Sequence, residues 1–125
     1  MLNDGASMTR EISRGIIAIY KDYMGRGPSD AYTEVTENSA ITTVTGSMTK
    51  AERSLVADGK GDIVRNMRRI FQESMRNEIS GVVENATGRK TGTFLSDHDV
   101  ESDIAIEVVL FKPKAADGSK AADGS

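Results

Sequence analysis

Four arginines could do chemistry together. Wound at about 100° per residue, a helix over 62–87 brings Arg65, Arg68, Arg69 and Arg76 onto a stripe roughly 100° wide. Such a stripe can hold a nucleic-acid backbone, an acidic protein or an anionic ligand. It can equally be a solvated face, with Glu73 an i+4 partner of Arg69. No aromatic residue interleaves with the arginines, which argues against single strands held by stacking. A second candidate is Gly25-Arg26-Gly27-Pro28, where the glycines can offer backbone N–H groups to an anion and Arg26 a bidentate donor. The same four residues also make a helix stop and a tight turn, and they match neither the phosphate loop nor the dinucleotide fingerprint. Asp97-His98-Asp99, with Glu101 and Asp103, could attract a hard cation. It lacks the spacing, glycine and closing glutamate of a calcium loop, so it reads as an acidic hairpin loop and no metal site is assigned. His98 would need a nucleophile or substrate proton beside it to act as a base. No catalytic residue and no cofactor are therefore assigned. Gly25, Arg26, Gly27, Arg65, Arg68, Arg69 and Arg76 stand as residues for binding a ligand or partner.

The composition narrows the classes. The chain has 125 residues, enough for one domain. It has no Cys, which excludes disulfides and thiolate metal sites, and one His. Trp is absent and there are six Met, so the core is aliphatic. Sixteen basic against nineteen acidic residues give a net charge of −3, so no overall field draws nucleic acid or anionic membrane. The longest apolar runs, Ile16–Tyr20 and Val108–Phe111, are far too short to span a bilayer. Met1–Gly5 has neither a charged n-region nor a following apolar h-region. The expected location is the cytoplasm, without membrane insertion.

The elements that must position these residues follow from pattern. Residues 1–6 read as a loose arm, 7–113 as one domain, and 114–125 as a disordered tail made of two Lys-Ala-Ala-Asp-Gly-Ser repeats. Segment 8–24 is helical, with Ile12, Ile16, Ile19, Tyr20 and Tyr23 at helical spacing and Ile17 and Met24 widening the apolar arc. An arc this wide calls for two neighbours, a sheet and a second subunit, so a homodimer is expected. Segments 31–37 and 40–46 are β-branched and form a hairpin across Asn38-Ser39. Thr49-Lys50-Ala51-Glu52 is a capping box opening a short helix. Asp62 then starts a long helix to Thr87, with Ile63, Met67, Ile70, Phe71 and Met75 on its apolar side and the arginines opposite. Beyond Glu78 the apolar stripe moves to Ile79, Val82, Val83 and Ala86, so the helix kinks at Gly81 or its second half meets a different neighbour. Strands follow at 90–95 and 102–111. The last is apolar on both faces at its end, which places it centrally. The order α-β-β-α-α-β-β makes the fold class α+β, a four-stranded, mainly antiparallel sheet with helices on one face.

The short helix, Gly-rich break and basic helix resemble the middle of a KH unit. However, Gly59-Lys60-Gly61-Asp62 brings the second glycine one residue early and puts an acid in the fourth position. The chain as a whole resembles another family over about residues 9–111. Tyr23-Met24-Gly25-Arg26-Gly27-Pro28 looks like its signature. Gly46-Ser47-Met48-Thr49-Lys50-Ala51-Glu52 looks like its Gly-x-Leu-Thr-x-x-Glu step, with Met48 in place of Leu. Gly61, Val64 and Arg68, then Thr87-Gly88, Ser96-Asp97, Asp99 and Val108–Phe111 fall where its later positions fall. This is the small bacterial MpsC family, named after a component of a membrane-potential-generating system. The resemblance implies a non-enzymatic accessory or regulatory protein. Its partners would be the membrane subunits of an MpsA/MpsB-type system, linked to sodium-dependent bicarbonate supply. It supplies no catalytic residues. Beside it stand a KH-like nucleic-acid module, with no specific nucleic acid expected, and a small-anion sensor built on the Gly-Arg-Gly-Pro turn.

Overall fold

The structure, a computed structural model, describes residues 4–114. The repeat tail lies outside the described residues apart from Lys114, as do the first three residues of the expected arm. Helix α1 runs Asp4–Met24, so residues 4–6 belong to it rather than to an arm. Then come β1 (Asp30–Val35), β2 (Ser39–Thr45), α2 (Lys50–Ala57), α3 (Gly61–Ser74), α4 (Arg76–Thr87), β3 (Thr91–Asp99) and β4 (Ile104–Phe111). The strands form one antiparallel sheet in the order β1-β2-β4-β3, with β4 central. The class is α+β, as the sequence pattern implies.

The register decides which side chains share a face. On the side covered by the helices, Val35, Ala40, Val109 and Phe94 lie in one row and Ala31, Val44, Ala105 and His98 in another. Between them runs a polar row, Thr33, Thr42, Glu107 and Ser96. Helix α1 lays Ile12, Ile16 and Tyr20 on this side, all fully buried. Each such burial contributes about 1.5–3 kcal/mol. The wide arc of α1 has its two neighbours inside the chain, namely β1 and α4. A Cβ at Gly15 would stand 2.7 Å from a Val82 methyl, so the glycine permits this close helix pairing. The second subunit is therefore not needed to cover α1.

The long helix expected over 62–87 is two helices, broken at Met75 rather than at Gly81. Met75 stays right-handed but is flattened to φ −83, ψ −6, which marks the junction between α3 and α4. The break lets α4 turn Ile79 and Val83 into the main core with α1. The expected orientation of α3 is overturned in part: of the expected apolar side, Met75 is buried, Met67 and Phe71 are half-buried, and Ile63 and Ile70 are exposed. Val64, Arg68 and Gln72 face inward, while Ile63 and Ile70 point to solvent, Ile70 at 66% exposure. The reason lies beneath the helix: the sheet offers it a polar row, and α2 offers a carboxylate, so the polar side of α3 is the one with partners.

Candidate functional site

The Gly-Arg-Gly-Pro turn stops α1 as its residues require. Gly25 adopts φ +82 and its N–H returns to Lys21 O at 2.9 Å. Arg26 Nη1 donates to Gly46 O (2.9 Å) and Met48 O (2.8 Å), tying the turn to the segment after β2. That segment is a hub. Arg53 Nη1 also donates to Met48 O, and the Met48 N–H donates to Asp103 Oδ2 at 3.0 Å. Asp103 Oδ1 in turn accepts from His98 Nε2 at 2.9 Å. His98 is thus buried in a strand, and the expected acidic loop is shorter than read, because Asp97–Asp99 belong to β3.

The four arginines do not form one surface. Arg68 is 1% exposed. Its Nε and Nη2 grip the Glu52 carboxylate at 2.7 and 2.8 Å, and Nη1 and Nη2 reach Ser47 Oγ and O at 3.0 and 2.9 Å. Glu52 also closes the capping box, accepting from the Thr49 N–H at 2.8 Å. Burial pushes the Glu52 carboxyl up, but the Arg68 bonds and charge and the Thr49 N–H hold it below its ordinary value. Arg76 pairs with Glu73 at 2.7 Å and lies over the Phe94 ring, so Glu73 serves Arg76 rather than Arg69. Arg65 and Arg69 remain at the surface. They line a shallow cavity of about 420 Å³ with Asp97, Asp99 and Ser102.

Sequence reasoning missed a buried polar centre. Glu107 is 1% exposed on the covered face of β4. Its Oε2 accepts from Tyr20 Oη, and its Oε1 from Ser96 Oγ at 2.5 Å. Gln72 Nε2 lies 3.5 Å from Oε2. Beside it, Ser13, Thr33 and Thr42 form a hydroxyl chain with 2.8 Å steps. Burial drives the Glu107 carboxyl up to about 7, against the pull of Ser96, Tyr20, Gln72 and Arg68. Burial likewise pushes the Tyr20 phenol far above its ordinary range. The available signal was a lone Glu inside an apolar strand, opposite Thr42 once the strands are in register.

The last feature is what no helix covers. Ile104, Ile106, Val108 and Leu110, the more apolar side of β4, lie on the outer face of the sheet. In register with them are Ile41 on β2, Tyr32 across the Thr43 row on β1, and Leu95 on β3. Tyr32 and Leu95 are 57% and 56% exposed.

A family model described as "Na+-translocating membrane potential-generating system (MpsC)" matches residues 5–113. The chain belongs to the MpsC family. Two Bacillus subtilis (strain 168) proteins, both named as uncharacterized, are similar to it. YbcI is 27% identical over 113 residues, covering 90% of each chain. YrhF is 27% identical over 96 residues, covering 75% of this chain and 79% of its own. No solved structure matches. In this MpsC chain, residues that carry the sequence resemblance converge in space: Gly46 and Met48 receive Arg26, and Ser47 and Glu52 receive Arg68. Among the described residues, no helix is long and apolar enough to cross a membrane, and no cluster of three or more His, Cys, Asp or Glu could hold a metal.

Proposed function

We propose that this MpsC chain is a non-enzymatic accessory or regulatory protein of a sodium-dependent, membrane-potential-generating and bicarbonate-supplying system. It works in the cytoplasm by docking on the membrane subunits. The observation that carries this reading is the apolar outer face of the sheet, left uncovered by every described element of the chain. Exposed apolar area of that extent is costly in water and is retained where a partner removes it from solvent. The family description, a Na+-translocating membrane potential-generating system, supports the membrane-potential part of this reading. Tagged chain recovered from detergent-solubilised membranes should bring down MpsA/MpsB-type membrane subunits. A pull-down that leaves those subunits behind, with the tagged chain folded, removes the reading.

The two readings kept beside it have less support. A KH-like module would need the helix arginines at its surface, and Arg68 is spent on Glu52. An anion sensor at Arg26 would compete with the two carbonyls that Nη1 already serves.

The homodimer is proposed on the outer side of α3. There a ridge of Ile63 and Ile70 stands beside a groove lined by Tyr23, Met24, Leu55, Met67 and Phe71. A ridge next to a groove is self-complementary under a two-fold axis. Sedimentation at tens of micromolar should give a dimer that Ile70→Glu converts to monomer; a monomeric wild type excludes it.

A further inference from the structure

Independently of the accessory reading, we propose that the cavity between α3 and the β3–β4 hairpin binds a free α-amino acid with an aliphatic side chain, its carboxylate on Arg65 and Arg69 and its ammonium on Asp97 and Asp99.

Two cations and two anions line the same space of about 420 Å³. Arg65 and Arg69 stand one turn apart on α3, so their side chains are neighbours. Asp97 and Asp99 stand two residues apart on β3, so theirs leave the same face of the strand. The two rows do not neutralise each other by contact. Among the described residues the ion pairs are Arg68–Glu52, Arg76–Glu73 and His98–Asp103, and none joins Arg65 or Arg69 to either aspartate.

Each aspartate is anchored by one oxygen and offers the other. Asp97 Oδ1 accepts from the His98 N–H at 2.9 Å, and Asp99 Oδ2 accepts from the Ser102 N–H and hydroxyl at 2.9 and 2.6 Å. Asp97 Oδ2 and Asp99 Oδ1 have no donor among the described residues. The Ser102 bonds, with the fields of His98 and Arg65, hold the Asp99 carboxyl below its ordinary value, so it stays charged. The backbone fixes the spacing of the rows. Gln72, on the same helix as the arginines, donates to Asp97 O at 3.0 Å, and Arg68 ties that helix to Glu52.

This arrangement selects a class of ligand. A lone oxyanion meets the aspartates, and a lone cation meets the arginines. A molecule with a carboxylate and an ammonium on one carbon gives each row its opposite charge through charge-assisted hydrogen bonds. It also bridges a gap that the two rows leave open. The volume lies toward the small end of ligand sites, which suits a single amino acid. Ile104 and Ile106 complete the lining and give its side chain an apolar contact.

The probe is L-leucine, titrated into the full chain by calorimetry. Beside it run leucinamide, which lacks the carboxylate, N-acetyl-leucine, which lacks the ammonium, and N-acetyl-leucinamide, which lacks both. Leucine should bind with a Kd below about 1 mM, and each of the other three at least roughly tenfold more weakly. Arg65→Gln/Arg69→Gln should erase the advantage of leucine over leucinamide and keep its advantage over N-acetyl-leucine. Asp97→Asn/Asp99→Asn should do the reverse, and the Asn oxygens can still accept from His98 and Ser102. Unfolding midpoints check that both variants fold. No saturable binding of leucine, isoleucine or valine up to about 10 mM overturns the proposal. Equal affinity for leucine and N-acetyl-leucinamide overturns it too, because the site then takes an internal segment of a chain. So do preferences that neither variant changes.

Discussion

Arg68→Ala is expected to cost about 3–5 kcal/mol, a large share of the stability of a domain this size. The loss comes from the partner left behind. Without the guanidinium, the Glu52 carboxylate stays buried with only the Thr49 backbone and hydroxyl groups beside it, and Ser47 loses two donors. Arg68→Lys should recover little, because one ammonium cannot reach Glu52 and Ser47 in the same planar fork. Replacing both charges, as Glu52→Leu/Arg68→Met, removes the orphaned charge and should recover much of the loss. It keeps the Thr49 hydroxyl on the backbone N–H of residue 52 but still forfeits the reciprocal bond from the Thr49 N–H to the Glu52 carboxylate, a cost of about 1 kcal/mol. The pair also sets an acid dependence. The Glu52 carboxyl is held below its ordinary value, so its contribution is present above pH 4.5 and drains away as pH falls through the folded value. Denaturant unfolding at pH 7 measures all of these. An Arg68→Ala protein within about 1 kcal/mol of wild type would mean that water reaches the Glu52 carboxylate and that the pair contributes little.

Glu107 predicts a pH dependence of the opposite sign. Its folded pKa, about 7, lies above the ordinary 4.5, so the fold favours the protonated acid. The contribution of this group is fully present below pH 4.5 and is lost as pH rises through about 7. The difference is on the order of 3 kcal/mol between the two limits. Wild type should therefore lose stability between pH 5 and pH 8, and Glu107→Gln, a neutral isostere whose oxygen accepts from one of the Tyr20 and Ser96 hydroxyls while its NH2 donates to the other, should remove most of that slope. Equal slopes in the two proteins would place the titration elsewhere. A carbon-13 titration of the Glu107 carboxyl gives the same answer directly, with a midpoint near neutrality.

Much of the fold was legible because local rules and global packing agree there. The alternating β-branched segments gave β1 and β2, the Thr49/Glu52 box gave the start of α2, and the doubly apolar end of β4 gave its central place. Helix α3 was misread for a physical reason. Its apolar and polar sides are equally clear in sequence, and the ordinary rule turns the apolar side inward. Here the inward side had to satisfy Glu52 and the polar row around Glu107, partners that exist only after the chain has folded. The same limit hid the site. Arg68 looks like its neighbours along the chain, and only the register that sets Glu107 between Thr42 and Ser96 marks it as part of the interior.

The strand order has a consequence for how the molecule is made. The last strand in sequence, β4, lies between β2 and β3, and the first helix is bonded to it through Tyr20 and Glu107, 87 residues apart. During synthesis the β1–β2 hairpin can form early, but the sheet cannot close until residues 104–111 have emerged. Until then α1 can dock on β1 and α4, but Tyr20 lacks its acceptor and the Ser96 hydroxyl lacks the carboxylate it donates to. Folding must bring α1 and β4 together across 87 residues of sequence, a non-local closure that is slow for a domain of this size.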